Sequence, residues 1–198
     1  MSNKRWIVTG NKGFIGTNFC NLLAIEGQEF YGIDAEIAGS NKFETMGTNA
    51  CKKQYKYDLC DSKLYDELQK DFLDDYKGEI VVVHFAAFSH VDQSIKTPVS
   101  LVTKNIQSTY TIAEWCARNN IMFVNIGTDE VFGELDITSS LFTEQSPLLP
   151  RNPYSSSKAA SELLIQSLKV QYPIWKVVCT NCVNNFGEYQ DYSKLIPV

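Results

Sequence analysis

The stretch Thr9-Gly10-Asn11-Lys12-Gly13-Phe14-Ile15-Gly16 decides how the rest of the chain is read. Its glycines follow directly on the apolar run Trp6-Ile7-Val8 and open a segment with helical spacing. Glycine lets the backbone turn tightly and come close to a phosphate, and a helix starting there offers N–H groups and a partial positive charge. Strand, glycine turn and helix together predict a pyrophosphate-binding turn built from Gly10, Gly13 and Gly16. The plainer alternative is a tight strand-to-helix turn with no ligand.

Working outward, Arg5–Thr9 reads as a strand and residues 13–26 as a helix, followed by a strand at Phe30–Asp34. Residues 35–53 carry no legible pattern, and the alternating tyrosines of Gln54–Leu59 suggest a third strand. Ser62–Phe72 has Leu64, Leu68 and Phe72 at helical spacing. Ile80–Phe85 is an unbroken run of the kind buried on both faces in a parallel sheet. A helix over 98–119, a strand at Met122–Ile126 and a polar loop over 133–152 come next. A helix over 153–172, with Leu163, Leu164 and Leu168 on one face, leads to a strand at Trp175–Thr180. This alternation predicts an α/β chain with a doubly wound, mostly parallel sheet (a Rossmann fold), forming one dinucleotide-binding domain over 1–198.

With 198 residues and a net charge of −5, the chain lacks the basic excess that binds nucleic acid through a broad face. No window approaches 18 consecutive apolar residues, so no membrane span is expected. Only a short apolar run separates Arg5 from Gly10, which argues against a signal peptide and for a cytoplasmic location. Cys179-Thr-Asn-Cys182 has no second ligand pair, and His84 and His90 supply none. No metal site is expected, and the two cysteines read as small residues at the end of a buried strand.

Three further groups carry chemistry. Asp34 ends the second strand, where a carboxylate accepts both ribose hydroxyls of an adenosine and repels a 2′-phosphate, favouring NAD over NADP. Tyr154 and Lys158 lie four apart, on one helix face. An ammonium near a phenol lowers its pKa, which would make Tyr154 a base toward a sugar hydroxyl. Thr128-Asp129-Glu130 puts two carboxyl groups at a strand end, where opposite pKa pressures would make one an acid and the other a base.

The glycine stretch, His84-Phe-Ala-Ala-Phe-Ser-His-Val-Asp-Gln-Ser94, Gly127-Thr-Asp-Glu-Val-Phe-Gly133, Asn152-Pro-Tyr-Ser-Ser-Ser-Lys158 and Asn184-Asn-Phe-Gly187 come in a distinctive order. In order and spacing they resemble the extended short-chain dehydrogenase/reductase family, and within it the dTDP-glucose 4,6-dehydratases, across essentially the whole chain. The Thr-Asp-Glu triplet marks that branch. The resemblance implies an NAD-dependent lyase acting on a nucleotide sugar. It places Phe14 and Ile15 at the pyrophosphate, Asp34 at the ribose, and Asp58 and Leu59 beside the adenine. Phe85, Ala86, Ala87 and Ser89 would line the cofactor, Ser89 also touching substrate. Thr128, Asp129, Glu130, Tyr154 and Lys158 would be catalytic, with Tyr154 and Lys158 also meeting the cofactor. Thr128 would hold the 4-hydroxyl, Asn184 would face the nicotinamide and Asn185 the substrate phosphate. A homodimer through the helices near 98–119 and 153–172 is implied in the same way.

The sequence departs from that pattern at several positions. Asn11-Lys12 stands for Gly-Ala, where a side chain fits the phosphate loop only if it points to solvent. Phe88 and Lys104 replace Glu or Gln and Thr near the nicotinamide end. Gly127 replaces Ser before the triplet, Phe132 and Phe186 replace tyrosines, and Val183 replaces Ser. Family members continue past Val198 into a region that holds the substrate's nucleotide. The chain is therefore expected to bind NAD and to turn substrate over poorly by itself. A sugar-nucleotide epimerase or decarboxylase of the same family, or a non-catalytic NAD-binding remnant, are the alternatives.

Overall fold

The computed structural model describes residues 4–36, 40, 44–74, 76–88, 98–136 and 141–190. Six strands form one sheet: β1 (Lys4–Thr9), β2 (Phe30–Ile33), β3 (Cys51–Tyr55), β4 (Glu79–His84), β5 (Met122–Thr128) and β6 (Val177–Cys182). All neighbours pair in parallel, in the order β3-β2-β1-β4-β5-β6. The chain reverses direction across the sheet between β1 and β4, and ligands of such sheets sit outside the strand ends at that point. There Thr9 is paired with His84.

Helices α1 (Phe14–Ile25) and α2 (Met46–Ala50) connect β1 to β2 and β2 to β3. Then come α3 (Ser62–Leu68), extended by a wider π-type turn to Asp74, α4 (Pro98–Arg118) and α5 (Pro153–Gln171). Val8, Cys20, Leu23 and Phe30 form a small apolar cluster where α1 meets the sheet. On the other face Ile7, Val82 and Phe123 pack with Leu64 and Leu68 of α3, Ile112 and Cys116 of α4, and Ile165 and Leu168 of α5.

Several boundaries differ from the sequence expectation. The third strand lies earlier, at Cys51–Tyr55, because its polar residues Lys52 and Lys53 are exposed on the sheet edge, and Tyr57 lies past its end. α5 buries Ser161, Glu162, Ile165 and Leu168, while Leu163 faces out at 55% exposure. β5 runs two residues beyond Ile126, so Thr128 is still part of the strand. β6 is an edge strand with Val178 and Cys179 exposed, so Cys179 and Cys182 do not end a buried strand.

His84 is fully buried. Its Nδ1 lies 2.7 Å from Thr9 Oγ1 and its Nε2 3.0 Å from Thr109 Oγ1, so the ring ties β1, β4 and α4 together. Burial, with Lys158 adding to it, pushes the imidazole down to about 3. The unfolded chain therefore takes up a proton near pH 6.5 that the folded chain refuses. Stability is expected to fall as pH drops below about 6.5, by up to about 1.4 kcal/mol per pH unit from this residue. Chemical denaturation between pH 7 and 5 checks this, and His84→Gln should flatten the slope.

Candidate functional site

The glycine turn sits flush against the start of the segment after β4. Gly10 has φ 66, in the left-handed region, and its amide donates to the carbonyl of Ile33 at 2.7 Å. A Cβ on Gly10 would stand 2.7 Å from the Ala86 nitrogen, and one on Gly16 only 2.1 Å from the Gly10 oxygen. Both positions therefore exclude any side chain. The Gly13 amide donates to Gly10 O at 3.0 Å, and the twelve-residue α1 opens at Gly13 with no side chain capping it. A close-approach turn leading into an uncapped helix fits a dinucleotide pyrophosphate.

Asn11 does not point to solvent. It is buried, and its amide exchanges two hydrogen bonds with Gln54, at 2.9 and 3.2 Å. The pair lies over Gly32, where a Cβ would meet both amides at 2.5 Å. Lys12 turns toward Glu36, with which its ammonium pairs. Phe14 is half-buried and Ile15 exposed on the first turn of α1.

At the end of β2 both oxygens of Asp34 are engaged. Oδ2 accepts from the Lys12 amide at 3.1 Å, and Oδ1 from the Glu36 amide at 2.8 Å and the Ser40 hydroxyl at 3.1 Å. After β3, Asp58 accepts from the Cys60 amide at 2.9 Å and pairs with Lys104 Nζ at 2.5 Å. Lys104, on α4, thus reaches across to the loop after β3. Leu59 is buried in the core beside Leu64, and its carbonyl accepts from the Tyr65 hydroxyl at 2.7 Å.

The segment after β4 is pinned from two sides. The Phe85 amide donates to Thr9 O at 3.1 Å and the Ala86 amide to Thr9 Oγ1 at 3.4 Å, with Ala87 half-buried next in line. Buried Asn105 accepts from the Phe88 amide at 2.9 Å and donates to its carbonyl at 3.1 Å and to Ser157 Oγ at 3.1 Å. No sequence signal singled out Asn105, because a polar residue in a long helix looks solvated until the helix is packed. Ser89 and His90 lie outside the described residues.

The helix α5 starts at Asn152, whose side chain accepts from the Ser155 amide at 2.8 Å and donates to Glu130 Oε2 at 2.9 Å. Thr128 Oγ1 accepts from the Glu130 amide at 3.3 Å and donates to Asp129 Oδ1 at 3.4 Å. One cap therefore joins the triplet to the turn that carries Tyr154. Lys158 is buried, its ammonium donates to Ile126 O at 2.8 Å, and burial pushes it down to about 8. Tyr154 is pushed up to about 12, by burial first and then by the carboxylate of Glu130 and by Cys182. The expected lowering by Lys158 is thus reversed: the phenol is desolvated, and the ammonium is committed to a strand carbonyl.

Thr128, Asp129, Glu130, Tyr154 and Lys158 come together in this way. Asn184 and Asn185 remain exposed in the loop after β6, Asn185 donating to Val183 O at 3.0 Å. That loop leans on α1, where Asn18 donates to Glu188 O at 2.8 Å. Glu162, also unsignalled in the sequence, is buried one turn past Lys158. Burial pushes its carboxyl up, and it accepts from Asn181, which also donates to Thr128 O, at 2.8 and 3.3 Å. A Cβ on Gly127 would lie 2.7 Å from Glu162 Oε1 and 2.4 Å from Thr180 O, which accounts for the missing serine there. Among the described residues no group of His, Cys, Asp and Glu side chains is placed to hold a metal ion.

Six parallel strands in this order, with a glycine turn at the β1–β4 reversal, define a Rossmann-type fold. The sequence pattern described as GDP-mannose 4,6 dehydratase matches residues 7–197, and the chain belongs to that family. It is 36% identical to the dTDP-glucose 4,6-dehydratase of Haemophilus influenzae, over 97% of this chain and 59% of the relative. Among solved structures, DesIV, the dTDP-glucose 4,6-dehydratase of Streptomyces venezuelae with NAD bound, matches with a TM-score of 0.82 and 32% identity, over 98% of this chain and 60% of that one. The UDP-glucose 4-epimerase of Thermus thermophilus with NAD gives 0.75 and 26%, over 89% and 54%. The chain thus spans less than two thirds of the length of these relatives.

Proposed function

We propose that residues 1–198 form one NAD-binding domain that carries the catalytic groups of a nucleotide-sugar 4,6-dehydratase of the dTDP-glucose type. The carrying observation is the hydrogen bond from Asn152 to Glu130, which sets the acidic triplet beside Tyr154. Gly10, Gly13, Gly16, Phe14 and Ile15 would hold the pyrophosphate, Asp34 the ribose, Asp58 the adenine edge, and Phe85–Ala87 the ring side. NAD held there would supply the hydride acceptor for oxidation of the substrate and the donor for the return of that hydride.

Tyr154 takes the proton of the sugar's 4-hydroxyl as C4 is oxidised, with Thr128 holding that hydroxyl. The ketone at C4 makes the C5 proton acidic. Glu130 removes it, Asp129 protonates the leaving 6-hydroxyl, and water departs. An epimerase or decarboxylase would use the same oxidation without the elimination, and the acidic pair next to Tyr154 favours the dehydratase. The test is to incubate the protein with NAD and several nucleotide-hexoses and to follow mass. The expected result is a product lighter by one water. An unchanged mass for every hexose, with NAD bound, would leave an epimerase or a binding protein.

Asp34 supports NAD over NADP, and Asp34→Ala should narrow that preference in a binding titration. No helix among the described residues is long and apolar enough to cross a membrane. The outward Val99 of α4, with Leu163 and Val170 of α5, supports a homodimer through these helices. A single monomeric species in sedimentation at micromolar concentration would remove the dimer.

A further inference from the structure

Asp34 is not the only carboxylate at the end of β2. Two residues on, Glu36 has φ 51, a left-handed conformation that residues other than glycine seldom adopt. Its amide donates to one oxygen of Asp34 at 2.8 Å, and the amide of Lys12 to the other at 3.1 Å. The backbone around Asp34 thereby fixes where the next side chains start. The Glu36 carboxylate pairs with the ammonium of Lys12, and its second oxygen with Lys56 Nζ at 2.8 Å. Two lysines from two different loops converge on one acid, at the edge of the ribose position.

We propose that Glu36 is a second specificity-determining residue at the adenosine end, which keeps Lys12 and Lys56 from receiving a ribose 2′-phosphate. The inference rests on the assignment of this site to an adenine dinucleotide. Asp34 and Glu36 balance Lys12 and Lys56, so the local charge is zero. A phosphate carrying close to two negative charges gains nothing there unless it displaces Glu36. That displacement is opposed by both ion pairs, which keep the carboxyl ionised down to about pH 2, and by the bond that anchors the Glu36 amide. Without the Glu36 charge the position becomes net positive, and the freed ammoniums suit a phosphate as hydrogen-bond donors. Discrimination against NADP thus has two sources, repulsion by Asp34 and occupation of the lysines by Glu36.

The test is a calorimetric titration of the whole chain with NAD and with NADP. The variants are Glu36→Gln, close in size, and Glu36→Asn, which suits a left-handed backbone. Either folded variant, checked by circular dichroism, is expected to bind NADP about tenfold or more tightly than the parent, the scale of one charge-assisted hydrogen bond. NAD affinity should stay nearly unchanged. Adding Lys12→Ala to either variant should remove the gain. NADP affinity that does not rise in the variants, while NAD still binds the parent, overturns the role of Glu36 alone. A parent that binds neither dinucleotide overturns the assignment of the site, and this inference with it.

Discussion

Tyr154→Phe is expected to slow oxidation at the sugar's C4 by roughly 10²–10⁴-fold, the usual range for loss of a general acid–base group. Dinucleotide affinity should hold, because the ring remains and only the hydroxyl is lost. In the parent protein the phenol is pushed up to about 12, so near neutrality the base form is scarce. Each unit of rising pH below that value multiplies the phenolate share about tenfold. The oxidation rate should therefore climb between about pH 6 and 8, and the climb should disappear in Tyr154→Phe. Single-turnover measurement across pH reads both effects. Unchanged oxidation in the variant would assign the base elsewhere.

The acidic pair should fail at a later step. In Glu130→Gln and Asp129→Asn, oxidation at C4 should proceed, because it precedes any need for these carboxylates. Loss of water should then slow by roughly 10²–10⁴-fold. Quenched samples should contain substrate two hydrogens lighter that has kept its 6-hydroxyl. Glu130→Gln retains an oxygen to accept from Asn152, so the cap of α5 stays intact and the effect is one of proton transfer. Glu130→Gln should also suppress deuterium exchange at C5, whereas Asp129→Asn should permit the exchange and stall departure of the hydroxyl. Normal product formation by both variants would reduce the triplet to a strand-end turn.

What could be read from the sequence followed physical periodicity. β4 shows as a β-branched run because both of its faces are buried, and the glycine turn shows because Gly10 and Gly16 tolerate nothing else. α2, with five residues, is too short to display a helical period. The edge strand β3 hides because its outward residues are lysines. Tyr154, Lys158 and the triplet were visible as residue types at a spacing. Their electrostatics were not, since burial of the phenol and the Lys158 bond to Ile126 depend on how α5 seats against β5. Asn105, Glu162 and the Asn11–Gln54 pair were invisible for the same reason: each partner lies far away in the chain.

The close seating of Gly10 on Ala86 bears on the order of folding. The first strand and its turn leave the ribosome early, but their geometry is complete only when β4, some seventy residues later, has docked beside β1. Contacts this distant in sequence form slowly, and in a parallel sheet no hairpin can nucleate them. A nascent chain ending before residue 86 would own every glycine of the turn and still have no wall to hold it closed. The final geometry of the turn is thus a late property of the growing polypeptide, gained with the central strand pair. Until then the apolar edge of β1 is exposed to misassembly with other chains.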